Sequence, residues 1–211
     1  MTSLSGAHDD FELDSSGDPR QADLMLRSQQ GDRLAYGQMV IAYQDRLFNA
    51  ILRMVGDREE ARDLTQETFT KALEKIETFR GECAPYTWFF KIAANLSISQ
   101  LRKLQRRRTF SLDNNAAYRG NEQGDALSKK IAATTQDPSD ALERSEEQQQ
   151  VLWALGRLDA EYRAILVMRD VEDFDYQQMA DILGLPLGTL KSRLFRARLA
   201  LNDELKAYMK E

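Results

Sequence analysis

The sequence predicts an all-α protein: two small helical domains joined by a flexible linker, the C-terminal one containing a helix-turn-helix. Three observations lead there. Only 4 prolines and 11 glycines punctuate 211 residues, while Leu, Ala, Arg, Glu and Gln, which enter helices at little cost, dominate the rest. Apolar residues return at helical spacing through both halves of the chain. Between the halves, Asn114, Asn115, Gly120, Asn121, Gly124, Thr134, Thr135 and Pro138 crowd a polar stretch with no apolar period, which reads as a linker. Two modest cores suit this length better than one. The expected division is an acidic, disordered tail over 1–20, a first domain over 21–108, the linker over 109–145 and a second domain over 146–211.

In the first domain, Leu34, Val40, Tyr43, Leu47, Ile51 and Met54 keep a helical period and predict a helix over 33–55. Gly56-Asp57 stops that helix and restarts the chain. A second helix is expected over 58–79, with Leu64, Phe69, Ala72, Leu73 and Ile76 on its apolar side. Asp63, Gln66, Glu67 and Thr70 align at i, i+3, i+4 and i+7 as an acidic-polar stripe, which spacing alone reads as a solvated face. A loop follows over 80–85, and a third helix over 86–104. Phe89, Phe90, Ala93, Ala94, Leu101 and Leu104 share its apolar side, whereas Lys91, Asn95, Ser99, Arg102 and Arg106 project from the other with Trp88 beside them. Rings beside cations and amides suit single-stranded DNA, where rings stack on bases and cations follow phosphates. From spacing alone, Trp88 capping the core is an equal reading.

In the second domain, Val151, Leu152, Leu155 and Leu158, then Ile165, Leu166 and Met168, mark two platform helices over 143–158 and 160–171. Asp175 offers an N-cap to a short helix whose inner side carries Tyr176, Met179, Ala180 and Leu183, and Gly184 ends it. After Leu185-Pro186-Leu187-Gly188 a longer helix begins near Thr189, with Leu190, Leu194, Ala197, Leu201 and Leu205 on one side. Lys191, Ser192, Phe195 and Arg196 occupy the opposite arc. Lys and Arg donate to guanine edges, Ser adapts, and a phenyl ring touches a thymine methyl, which are the side-chain types of direct readout. Arg193 and Arg198 fall at the margins, placed for phosphates or for salt bridges within the domain. Residues 175–201 therefore read as a helix-turn-helix with its second helix in the major groove.

A net charge of -5 argues, taken alone, against nucleic acid. Its distribution reverses the argument. Residues 83–112 contain no Asp or Glu but carry Lys91, Arg102, Lys103, Arg106, Arg107 and Arg108; residues 182–202 are also acid-free and carry Lys191, Arg193, Arg196 and Arg198. That segregation marks two phosphate-facing surfaces. One cysteine, Cys83, and one histidine, His8, cannot assemble a metal cluster or an internal disulfide. No phosphate loop and no histidine near a nucleophile is present, so no enzyme and no cofactor is expected. Without a long apolar run or a signal peptide, the expected location is the cytoplasm, with no membrane insertion.

Several motifs in order resemble one family, the bacterial sigma factors of the sigma-70 superfamily, in their extracytoplasmic-function group. They are Gly31-Asp32, Gly56-Asp57, Asp63-Leu-Thr-Gln-Glu-Thr-Phe69, Phe79-Arg-Gly81, Thr87-Trp-Phe-Phe-Lys-Ile-Ala-Ala-Asn95 and Gly188-Thr-Leu-Lys-Ser-Arg-Leu-Phe-Arg-Ala-Arg198. The resemblance implies a first domain of region 2 type and a second of region 4 type. It implies that Asp63, Gln66, Glu67 and Thr70 dock on core RNA polymerase. It assigns the loop over 80–86 and the face of Trp88, Lys91, Asn95, Ser99, Arg102 and Arg106 to the minus-ten promoter element, where a base is flipped out as strands separate. It assigns Thr189, Lys191, Ser192, Arg193, Phe195, Arg196 and Arg198 to the minus-thirty-five element. An anti-sigma factor that masks these faces is a further implied partner. Two places depart from the family pattern: Gln178-Met179-Ala180 lacks the usual acidic residue, and Cys83-Ala84-Pro85 is an unusual flipped-base loop. Outside the resemblance, the competing reading is a free-standing helix-turn-helix regulator that acts without polymerase.

Overall fold

The computed structural model describes residues 19–112 and 150–208, with side chains of 105–112 and of 208 outside the described set. Every regular element among the described residues is helical. The N-terminal half comprises α1 (Pro19–Gln29), α2 (Arg33–Val55), α3 (Arg58–Glu74), a single 3₁₀ turn (Ile76–Thr78) and α4 (Pro85–Leu112). The C-terminal half comprises α5 over 150–157, α6 (Ala160–Leu166) running into a π-helical turn (Val167–Val171), α7 (Tyr176–Leu183) and α8 (Leu187–Tyr208).

Local chemistry sets the boundaries. Asp32 caps α2 by accepting from the backbone N–H groups of Leu34 and Ala35. Those bonds, that to Ala35 foremost, together with the Arg27 guanidinium, hold its carboxyl below the usual carboxylate range. Gly56 ends α2 in the left-handed region at φ 79°, where a Cβ is unfavourable. Asp57 then caps α3 through the amides of Glu59 and Glu60. The same logic builds the second half: Asp175 and Gln178 form a reciprocal capping box at the start of α7, and Gly184 closes it at φ 63°.

The core of the N-terminal half is aromatic. Tyr36, Tyr43, Phe69 and Tyr86 surround the fully buried Phe89 or one another with centroid separations of 5.5–6.2 Å, tilted as ring quadrupoles favour. Two buried hydroxyls find backbone acceptors: Tyr36 donates to the Phe69 carbonyl and Ser28 to that of Leu24. In the C-terminal half, Leu190, Leu194 and Ala197 of α8 pack on Met179, Ala180 and Ile182 of α7 and on α6.

Several helix extents and facings differ from the sequence reading. The second helix stops at Glu74 instead of reaching residue 79, because the chain tightens into the 3₁₀ turn. The third runs over Pro85–Leu112, longer at both ends; proline fits a first turn, where its missing N–H costs nothing. α8 begins at Leu187, two residues before Thr189. Helix α1 has no counterpart in the expected elements. Leu34 and Leu73, expected inside, are exposed: Leu34 lies in the first turn of α2, and Leu73 follows Thr70 by three residues on the stripe face of α3. Leu104 is also exposed, while Ile182 takes the inner place expected of Tyr176. Of the predicted helix over 143–158, residues 143–149 lie outside the described residues, as do the tail over 1–18 and the linker over 113–149.

Candidate nucleic-acid interface

The strand-facing candidate is one side of α4. Lys91, Asn95, Ser99 and Arg102 are exposed, at spacings of four, four and three that keep them on one face. The side chain of Arg106 lies outside the described residues. Trp88 belongs to the rim of this face: half-buried, it stands edge-on to Phe79 at 5.7 Å and to Phe89 at 5.4 Å. Its ring joins the core and leaves one part at the surface, so it fixes the loop before α4 as much as it offers a stacking platform.

That loop is anchored from a distance. Gln29, at the end of α1, donates through Nε2 to the carbonyls of Ile76 and Phe79, at 3.0 and 2.8 Å. Gly81 adopts φ 74° and lets the chain reverse before α4. The exposed Cys83 thiol sits in the same loop. Burial pushes its pKa up, opposed by Lys91 and reinforced by Glu82 and by Asp181 of α7.

The duplex-facing candidate is the outer side of α8. Lys191, Ser192, Phe195 and Arg196 are exposed, and Phe195, an apolar ring, is 65% accessible. Ser192 donates to the Thr189 carbonyl, and Thr189 is half-buried under the first turn. The Lys191 ammonium stands 5.8 Å from the ring centroid of Tyr176, with Arg169 on the same ring at 5.5 Å. Tyr176 thereby links the capping end of α7 to the reading helix, a contact that its apolar period could not reveal.

The flanking arginines are engaged inside the protein. Arg198 donates to Asp170 at 2.6 Å, and Arg193 donates to Glu161. Both match the salt-bridge alternative that spacing had left open. Arg102 of α4 donates to the other oxygen of the same Glu161 carboxylate. The two faces, read separately from the sequence, thus meet at one acid.

The halves also share a buried junction. Glu172 accepts from Arg46 at 2.9 Å and from the Tyr86 hydroxyl at 2.7 Å, while the Arg46 guanidinium lies 4.0 Å above the Tyr86 ring. Burial foremost, then the Glu172 charge, pushes the Tyr86 phenol far above its ordinary value. Phe174 stacks on Tyr86 and meets Phe90 edge-on at 4.7 Å. Arg163, buried, donates to the Met54 carbonyl of α2 and to the Gly156 and Leu158 carbonyls at the end of α5. Both sets are helix C-terminal carbonyls with no intrahelical donor. None of Glu161, Arg163 or Glu172 stood out in the sequence, because each acts across a long loop and none repeats with a period.

On α3 the stripe of Asp63, Gln66, Glu67 and Thr70 is exposed throughout. Glu67 pairs with Lys71 at 3.1 Å, and Thr70 donates back to the Gln66 carbonyl. Nothing packs over it among the described residues. No group of three or more potential ligands that could hold a metal occurs among the described residues, and no described helix is long and apolar enough to cross a membrane.

Comparison with known proteins adds a second line of observation. The family model for Sigma-70 region 2 matches residues 39–107, and that for Sigma-70, region 4 matches residues 148–201. The chain is 35% identical over 188 residues to the RNA polymerase sigma-H factor of Pseudomonas aeruginosa, an alignment covering 89% of this chain and 95% of that one. It is 31% identical to the ECF RNA polymerase sigma factor SigW of Bacillus subtilis, covering 83% and 91%. Among solved structures, the sigma factor RpoE in complex with the anti-sigma factor NepR from Bartonella quintana is similar at TM-score 0.60 and 26% identity, covering 81% of this chain and 96% of that one. CnrH in complex with the cytosolic domain of CnrY shares the fold at TM-score 0.60 and 21% identity, covering 89% and 98%.

Proposed function

Because this chain belongs to the sigma-70 family, in its extracytoplasmic-function group, we propose a division of labour among its three exposed faces. The protein is an alternative sigma factor that directs RNA polymerase to promoters, and core polymerase, promoter DNA and an anti-sigma factor are its partners. In our reading the stripe of Asp63, Gln66, Glu67 and Thr70 docks on core polymerase, its acidic character orienting the encounter with a basic partner. Lys91, Asn95, Ser99, Arg102 and Arg106, with Trp88 at their edge, hold the melted minus-ten strand. Thr189, Lys191, Ser192, Phe195 and Arg196 read the minus-thirty-five duplex, with Arg193 and Arg198 free to reach phosphates once their carboxylate partners release them. The first domain spans 21–108 and the second 146–211, the linker between them accommodating the separation of the two elements.

Opening costs a few kcal/mol per unstacked base, and base capture on α4 together with polymerase contacts offsets it. The family comprises non-enzymatic initiation factors; this chain catalyses nothing itself, acts in the cytoplasm and leaves polymerase after initiation. The observation that carries the assignment is the presence, in one chain and in family order, of a strand-facing helix free of acid and a reading helix free of acid over residues 187–202. The test is transcription by purified chain and core enzyme on a library of genomic promoters. Promoter-specific transcripts that need both components are expected. A promoter footprint by the chain alone, with no such transcripts, would instead identify a free-standing regulator.

A further inference from the structure

Gln29, the last residue of α1, turns its amide nitrogen toward the backbone ahead of the loop that leads into α4. Nε2 donates to the Ile76 carbonyl at 3.0 Å and to the Phe79 carbonyl at 2.8 Å. Both partners only accept, so the NH2 side of the amide is the side that must face them, and both of its protons are used. The anchor is itself held. Its neighbour Ser28 is buried and donates to the Leu24 carbonyl, while Arg27 donates to Asp32, the cap of α2. At the other end of the loop the Trp88 amide donates to the Ala84 carbonyl at 3.2 Å, closing the first turn of α4. Between these fixed ends lie residues 80–84, of which Arg80, Gly81, Glu82 and Cys83 are exposed, with Gly81 at φ 74°. Phe79, whose carbonyl Gln29 holds, also supplies the ring that stands edge-on to Trp88 at the rim of the strand-facing side.

We infer that Gln29 is a positioning residue for promoter-strand recognition: by fixing the Ile76 and Phe79 carbonyls it sets the direction from which residues 80–84 and Trp88 meet the melted minus-ten strand, without touching DNA itself. The inference rests on the reading of that loop as minus-ten-facing. Its physical ground is preorganisation. A loop that must order itself while it captures a base gives up that ordering free energy from the binding, whereas a loop already fixed at both ends does not. The side chain suits the task, because a neutral amide offers two protons to two acceptors where a hydroxyl offers one. Helix α1 carries none of the residues that face DNA or polymerase in the reading above, so its contribution to recognition runs through this amide.

The test uses the full-length chain with core polymerase. Gln29→Leu keeps the apolar stem and removes the donor, and Gln29→Glu keeps the shape but turns an oxygen toward the two carbonyls. A third variant, Glu82→Gly with Cys83→Gly and Ala84→Gly, alters the loop itself. Each holoenzyme is titrated with forked duplexes, taken from a promoter that it transcribes, that carry every base in turn at each minus-ten position; core-enzyme binding and the thermal midpoint are measured alongside. In both Gln29 variants, affinity for the preferred fork is expected to fall about 3- to 10-fold, the range for one or two net hydrogen bonds. The ratio between preferred and disfavoured bases is expected to narrow at the position the loop contacts, while core binding stays within about twofold. Faster amide exchange over 80–84, with the helices of the first half protected as before, locates the effect. A merely structural role would lower core binding and the midpoint and scale all bases alike, and that outcome overturns the inference. So does an unchanged base ratio in both Gln29 variants when the triple loop variant loses it. If the triple variant also keeps the native ratio, the loop does not face the minus-ten strand, and that part of the functional reading fails together with the inference.

Discussion

At the scale of single residues, the outer side of α8 separates groups held by the fold from groups offered to solvent. Arg196 is exposed with no ion pair among the described residues, whereas Arg193 and Arg198 are held by Glu161 and Asp170. Arg196→Ala should therefore leave the folding midpoint unchanged and weaken holoenzyme on its cognate upstream element by about 1–3 kcal/mol, the range for a base-directed arginine, read as a rise in Kd of about 5- to 150-fold. If Arg198, held by Asp170 in this structure, reaches phosphate as proposed, Arg198→Ala should weaken all sequences equally. Asp173 is a different case. It adopts φ 60° in the left-handed region while Glu172 and Phe174 on either side are buried in the junction. Asp tolerates that conformation and β-branched residues do not. Asp173→Val is expected to lower stability by ~1–2 kcal/mol in denaturant titration, and Asp173→Gly to be neutral within a few tenths.

At the scale of elements, caps and faces make separable predictions. The Asp175 carboxylate accepts from the Gln178 amide at 2.8 Å while the Gln178 side chain accepts from the Asp175 amide. Asp175→Ala should cost about 1 kcal/mol of stability and fray the first turn of α7, seen as faster amide exchange there. On α3, Glu67→Lys places like charges four residues apart, a penalty of only ~0.5 kcal/mol to folding, yet it reverses a charge in the stripe proposed to dock on polymerase. A loss of core-enzyme binding of tenfold or more in a pull-down titration, with little change in thermal midpoint, is expected. The helices of the first half and the α7–α8 pair were legible in the sequence because capping residues and apolar periods are local signals. Asp175, Gly184 and the Leu190, Leu194, Ala197 row sit where periodicity puts them. Leu34, Leu73 and Tyr176 fail because period identifies a stripe and not its width, so residues at its edge can face either way. Helix α1 escaped for another reason. Its buried Leu24, Met25 and Ser28 span barely more than one turn, too short a window for a period to declare itself.

At the scale of the whole molecule, the charges and rings that join the halves were invisible to any local rule, since Arg46 meets Glu172 and Arg163 meets Met54 across more than 100 residues. They explain why two units separable by sequence share one buried cluster. Arg163 is the most demanding of these contacts. Its guanidinium donates to the Met54 carbonyl at the end of α2 and to the Gly156 and Leu158 carbonyls at the end of α5, so one charge satisfies helix termini in both halves. Replacing it with Met keeps most of the apolar stem but leaves those carbonyls without this donor, and bonds to a charged donor are worth ~1.5–3 kcal/mol each before relaxation and water entry reduce the total. Relaxation is easy only if the halves move apart and let water reach the carbonyls. Arg163→Met should therefore lose about 3 kcal/mol and, because the coupling is lost with it, replace a single cooperative unfolding transition with two. Differential scanning calorimetry decides the matter: one sharp transition for the native sequence and two for the variant is the expected result. A single transition, merely shifted, would show that the aromatic and Glu172 contacts hold the halves together without Arg163.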